Sequence, residues 1–211
     1  MTILEFLDYA GVAVFAASGA LSASRKELDV IGFLFLAAVT GIGGGTFRDV
    51  ILGATPVFWV VNPTYILVCA GMGLIVFLSA HRIESRYRLL VWLDAVGLSA
   101  YCVMGAAKGL AATGSPTVAI VTGMLTATFG GILRDLLAGE PSVLLRPEIY
   151  VTAALAGAAV FTGFTLLGAP LIAASAAGAL SAFAVRGGAL WFGWSFPTYK
   201  SRPGRHPDDV M

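Results

Sequence analysis

Two arginine–aspartate dipeptides, Arg48-Asp49 and Arg134-Asp135, interrupt apolar stretches of this 211-residue chain. Each follows a glycine cluster: Gly43, Gly44 and Gly45 precede the first pair, Gly130 and Gly131 the second. Ionisable groups at bilayer depth are expensive and become functional candidates when they face a bundle interior. The competing reading is that both pairs are interfacial and snorkel to water. Glycine lacks Cβ, so a helix can kink or unwind there and free backbone carbonyls, which can replace part of a cation's hydration shell. Its competing use is close packing between helices.

No other constellation offers hydrolytic or redox chemistry. The two histidines, His81 and His206, fall in a loop and in the C-terminal tail, and Cys69 and Cys102 lie inside apolar runs without zinc spacing. There is no Walker loop, and the glycines of 41–45 sit inside an apolar span rather than after a strand, so they are not a dinucleotide fingerprint. No catalytic residue, metal ligand or resident cofactor is assigned. An enzyme is disfavoured, as is an ATP-driven pump, because no loop is long enough for a nucleotide domain. The net charge of +1 gives no reason to invoke nucleic acid.

The elements that must position these residues are membrane helices. Hydrophobic residues make up 58% of the chain and charged ones 12%; soluble domains carry about 25% charged residues and need them to face water. The apolar runs are continuous rather than alternating, which excludes a membrane barrel. At about 20 residues per crossing, seven spans are expected: 5–23, 29–52, 63–80, 89–109, 116–138, 148–167 and 169–186. Glycines break the second at 41–45 and the fifth at 130–131. Pro63, Pro116, Pro147 and Pro170 fall near span starts, where a missing N–H costs least. A cytoplasmic tail, 187–211, is expected to be partly disordered.

Orientation follows from the 13 basic residues. With the N-terminus outside, eleven of them face inward and only Arg48 and Lys108 face outward, which the positive-inside rule favours strongly. N-out/C-in requires an odd number of spans, consistent with seven. Met1 to Glu5 has no basic region, so a cleaved signal peptide is not expected.

Arg48 and Arg134 are 86 residues apart, and the same offset maps Asp8 onto Asp94, Gly11 onto Gly97, Gly19 onto Gly105 and Thr40 onto Thr126. The chain therefore reads as two three-span units, 5–81 and 89–167, with a seventh helix, 169–186. Three spans per unit force the second to insert inverted, an arrangement that marks permeation or binding pathways in many transporters. Topology then places Asp8 near Arg48 at the outer end and Asp94 near Arg134 at the inner end, as pore-mouth charges. Phe15 corresponds to Tyr101, and the two are candidates for a constriction, with core packing the plainer alternative. Lys108 reads as an interfacial anchor.

Two three-helix units plus a seventh helix, with Gly-Gly-Gly-Thr-x-Arg-Asp at 43–49 and Gly-Gly-x-x-Arg-Asp at 130–135, resemble the prokaryotic trimeric intracellular cation (TRIC) channel family. The same domain also carries a bacterial "glycine transporter" label. The resemblance covers about 5–186. It implies a homotrimer in the bacterial or archaeal cytoplasmic membrane, with lipid at the protomer interfaces. Each protomer would hold an hourglass pore for K+ and other monovalent cations such as Na+, with the kinked glycine segments of the second and fifth spans lining it. Animal members carry a lysine-containing motif where this chain has Arg-Asp, so their voltage and lipid regulation does not transfer. Two other classes remain open: a secondary transporter of glycine or another small amino acid, and a structural membrane scaffold.

Overall fold

The computed structural model describes residues 3–142 and 149–197, and its long elements are all helices. They are α1 (Ile3–Arg25), α2 (Val30–Ile51), a single turn α3 (Phe58–Val61), α4 (Thr64–Ser79), α5 (Arg86–Thr113), α6 (Pro116–Leu137), α7 (Val151–Leu166) and α8 (Leu171–Phe192), with a 3₁₀ turn over Ala80–Arg82. Among the described residues, five helices are long and apolar enough to cross a bilayer: α2, α4 with its 3₁₀ turn, α5, α6 and α8; α7 is a shorter apolar helix. The expected start of the sixth span at 148, and the tail beyond residue 197, lie outside the described residues.

Two expectations need correction. The second and fifth spans are not interrupted: α2 is helical without a break through Gly43, Gly44 and Gly45, and α6 through Gly130 and Gly131. The last helix does not stop at Arg186 but continues to Phe192. Arg186 is only 2% exposed, so its charge is internal and the apolar run after it extends the helix. The short α3, docked on the end of α2, was not expected.

Local signals explain why α2 and α6 end alike. Asp29 caps the start of α2 by accepting from the Gly32 N–H at 2.8 Å, and Ser115 caps α6 by accepting from Val118 N–H at 3.4 Å. These caps satisfy donors that the first helical turn leaves orphaned. At the far ends, Gly53 and Gly139 adopt φ of +67° and +62°. The next residues, Ala54 and Glu140, donate back to the carbonyls of Asp49 and Asp135 at 2.8 and 2.9 Å. Both ends are Schellman turns, which a left-handed glycine permits without Cβ strain. We expect Gly53→Ala and Gly139→Ala each to cost about 1 kcal/mol, read as a lower melting midpoint of the detergent-solubilised protein.

Helix α5 occupies the centre. Of its apolar stretch 72% is buried, against 28% for α4, which turns most of its surface outward. Leu67, Leu78, Leu136 and Leu180 are each between 67% and 70% exposed, a lipid-facing surface in keeping with the composition. Inside, small residues let the helices approach. The Tyr101 ring lies against Gly11 and the Phe15 ring against Gly97, with ring centroids 5.3 Å apart. Residue 11 thus faces 101 and residue 15 faces 97, so α1 and α5 run antiparallel. Gly44 faces the Thr126 carbonyl and Gly130 the Thr40 carbonyl, which makes α2 and α6 antiparallel too.

Candidate functional site

That antiparallel register puts the C-terminal end of α2 beside the N-terminal half of α6. At 1.5 Å per residue, Arg48 and Arg134 stand roughly 18 Å apart along the bundle. Each is almost fully buried, Arg48 at 1% and Arg134 at 2% exposure, so neither snorkels to water. Around them lie two separate polar clusters within α1, α2, α5 and α6.

At the Arg134 end the expected pair forms. Arg134 Nη1 lies 2.5 Å from Asp94 Oδ1 and also donates to the Ser18 hydroxyl at 3.1 Å. Its Nε and Nη2 both reach Asp135 Oδ1 at 2.9 Å. Ser18 in turn donates to the Phe15 carbonyl at 2.8 Å, which fixes its oxygen toward the guanidinium. One arginine therefore bridges α1, α5 and α6. Tyr150, 1% exposed, closes the cluster, and its hydroxyl would meet a Cβ added at Gly131.

The Arg48 end is wired differently. Arg48 Nε donates to its neighbour Asp49 at 2.8 Å, and Nη2 makes an ionic contact of 2.7 Å with the same oxygen. The other Asp49 oxygen accepts from the Phe58 N–H at 2.9 Å, while Trp59 Nε1 donates to Thr46 at 2.9 Å. Together these hold α3 against α2. Asp8 belongs to the same cluster but forms no ion pair with Arg48 among the described residues, contrary to expectation. Its Oδ2 accepts from the Tyr65 hydroxyl at 3.0 Å and lies 3.6 Å from Lys108 Nζ. The Phe58 ring is shared by both cations of this cluster, 5.6 Å from the Arg48 guanidinium and 5.5 Å from the Lys108 ammonium. Lys108 is thus a cluster member rather than only an interfacial anchor. Its spacing of seven from Tyr101 on one face of α5 was the available signal.

Asp8 and Asp94, at the repeat offset, share one further property. Each is buried, at 3% and 2% exposure, with one carboxylate oxygen engaged. The other oxygen, Asp8 Oδ1 or Asp94 Oδ2, has no well-directed hydrogen-bond partner among the described residues, and neither does Arg48 Nη1. The Tyr150 hydroxyl stands beside Asp94, and a buried carboxylate oxygen short of a well-directed donor can also accept from water or take a cation. Between the clusters lie the interlocked Phe15 and Tyr101 rings, and the Tyr101 hydroxyl donates to the Gly41 carbonyl at 3.2 Å. Gly43, Gly44, Gly45, Gly130 and Gly131 lie on the α2 and α6 faces beside them, where they admit neighbouring atoms instead of unwinding the backbone. No group of three or more metal-ligating side chains occurs among the described residues.

The model of the family described as "Glycine transporter" matches residues 5–81 and 91–166. The UPF0126 inner membrane protein YadS of Escherichia coli K12 is 39% identical over 200 residues, which cover 93% of this chain and 96% of YadS. A TRIC trimeric intracellular cation channel orthologue from Rhodobacter sphaeroides has the same fold, with a TM-score of 0.90 at 53% identity over 92% of this chain and all of that one. A prokaryotic TRIC channel crystallised in 0.5 M KCl gives 0.86 at 28% identity, covering 92% of this chain and 98% of that one.

Proposed function

Because this chain belongs to the prokaryotic TRIC channel family, whose domain is also described as glycine transporter, we propose that it is a passive cation channel permeable to K+ and Na+. It is a multi-pass protein of the bacterial cytoplasmic membrane. The observation that carries the reading is the pair of buried carboxylates, Asp8 and Asp94, at opposite ends of one helix core, each with an oxygen that lacks a well-directed hydrogen-bond donor. A permeating cation, partly hydrated, is the partner such oxygens would take in passing.

In this reading the pathway runs through each protomer of a homotrimer, lined by α1, α2, α5 and α6, with seven spans in the N-out/C-in sense. Residues 5–81 and 89–167 act as inverted repeats. The recurrence of caps, glycine approaches and ring-on-glycine contacts at the offset of 86 supports that description. Arg48, Asp49 and Asp8 mark the outer mouth; Arg134, Asp135 and Asp94 mark the inner one. Phe15 and Tyr101 stand at the waist of the hourglass, and Gly43, Gly44, Gly45, Gly130 and Gly131 let the lining helices approach. Lipid fills the protomer interfaces.

Planar-bilayer recording of the purified protein in asymmetric KCl tests this. Discrete K+-selective steps are expected, with lower unitary conductance in Asp8→Asn. Lys108→Gln should do the reverse, because removing the ammonium exposes the carboxylate to the permeating ion; a change of about two-fold is the scale expected for one partly screened charge. Silence at all voltages, together with saturable glycine uptake by liposomes of the same preparation, would sink the channel and promote the transporter.

A further inference from the structure

On the inner side of the bundle, a cavity of about 690 Å³ opens between the start of α5 and the end of α8. Its size falls within the range of small-molecule sites, about 300–1,000 Å³. The sequence builds it from two glycines. Gly187 and Gly188 on α8 leave room for the Trp92 and Trp194 rings; a Cβ at 188 would come within 2.8 Å of Trp194 Cζ3. Phe192 stacks on Trp194 with centroids 5.5 Å apart, and Trp92 packs on Phe183 at 6.1 Å. The left-handed Gly193 (φ +71°) turns the chain at the end of α8 so that Trp194 and Ser195 fold back over the opening.

Among the described residues that line the cavity, the charged ones are Arg88 and Arg186, both basic. Arg88 is exposed at the rim, one turn into α5. Arg186 is 2% exposed at the floor, where Nη1 donates to the Ile149 carbonyl at 3.2 Å and the guanidinium lies 5.1 Å from the centre of the Tyr150 ring. Hydroxyls of Ser85 and Ser195 and the indoles of Trp191 and Trp194 complete the lining. Trp191 is 76% exposed and Trp194 50%, the amphipathic ring placement typical of the headgroup level. Below the rim, exposed Leu180 and Phe183 on α8 continue the apolar surface into the acyl region.

We propose that this cavity is a binding site for the phosphodiester headgroup of an anionic phospholipid of the inner leaflet. The Arg88 guanidinium meets the phosphate, indole and hydroxyl donors reach its ester oxygens, and the acyl chains descend along α8. Basic pockets between membrane helices suit anionic headgroups for this reason. The site lies outside the residues assigned to conduction, so it stands whether or not the protein conducts.

The test uses the full chain in detergent with Trp59→Phe, which leaves Trp92, Trp191 and Trp194 as reporters. Acyl-brominated phosphatidylglycerol should quench them at a lower mole fraction than brominated phosphatidylcholine. Arg88→Gln should reduce that preference about five-fold, the worth of one basic residue at a membrane surface. Gly188→Val, which displaces Trp194, should weaken quenching by both lipids. Equal quenching by the two lipids, a preference untouched by Arg88→Gln, or titrations unchanged by Gly188→Val would each overturn the proposal. Competition by millimolar inorganic phosphate alone would overturn it too, since the site would then take a free anion rather than a lipid.

Discussion

Replacing Arg134 with alanine is expected to cost about 3–5 kcal/mol, the scale for removing one partner from a buried ion pair. Arg134 is the sole described cation in contact with both Asp94 and Asp135, and it also holds Ser18 on α1. Its removal leaves the buried Asp94 carboxylate without the guanidinium that compensates its charge, so the loss is mostly uncompensated buried charge. Fluorescence-detected size exclusion after heating should show the folded peak lost at a markedly lower temperature. Arg134→Lys should fall between, because an ammonium cannot reproduce contacts made by three separate nitrogens.

A second substitution separates lost charge compensation from lost packing. In the Arg134→Ala background, Asp94→Asn should restore part of the stability, although Asp94→Asn alone destabilises. Additive losses would show that the guanidinium matters by its volume and not by its charge. Arg48→Ala is expected to be milder, since Asp49 keeps the Phe58 N–H and much of that cluster persists through Asp8, Tyr65 and Lys108. The two arginines look alike in the sequence, yet their wiring predicts unequal effects.

The sequence made the Arg134 cluster legible because three facts converge on it: the offset of 86, the parity of spans and the positive-inside count. Together they put Asp94 at the level of Arg134, and the ion pair follows. The same readings put Asp8 at the level of Arg48 but could not see the Phe58 ring, which the one-turn α3 brings against both Arg48 and Lys108. There Asp8 meets Lys108 rather than Arg48. Arg186 was misread as the end of a helix because burial of a charge depends on what surrounds it, here Tyr150 and the Ile149 carbonyl from a distant segment. The glycines were ambiguous for a deeper reason. Absence of Cβ permits both an unwound backbone and a close approach, and only the facing helix decides between them.

Alanine substitutions along α2 and α6 turn that distinction into a rank order. A Cβ at Gly44 would overlap the Thr126 carbonyl, and one at Gly130 the Thr40 carbonyl. Both obstacles are backbone atoms inside helices and cannot rotate away, so α2 and α6 must separate. We expect Gly44→Ala and Gly130→Ala to lose about 2–3 kcal/mol, the upper part of the range for overpacking. At Gly43 the obstacle is Leu133 Cδ1 at 3.0 Å, the end of a flexible side chain, so Gly43→Ala should be nearly silent; Gly71, with nothing within 4 Å, is the control. Melting midpoints of these four variants check the order. If unwinding were the purpose of the cluster, Gly43 and Gly44 would be equally sensitive, because each would contribute a similar share of backbone freedom. A large gap between neighbours one residue apart is what packing alone requires, since adjacent residues point about 100° apart around a helix.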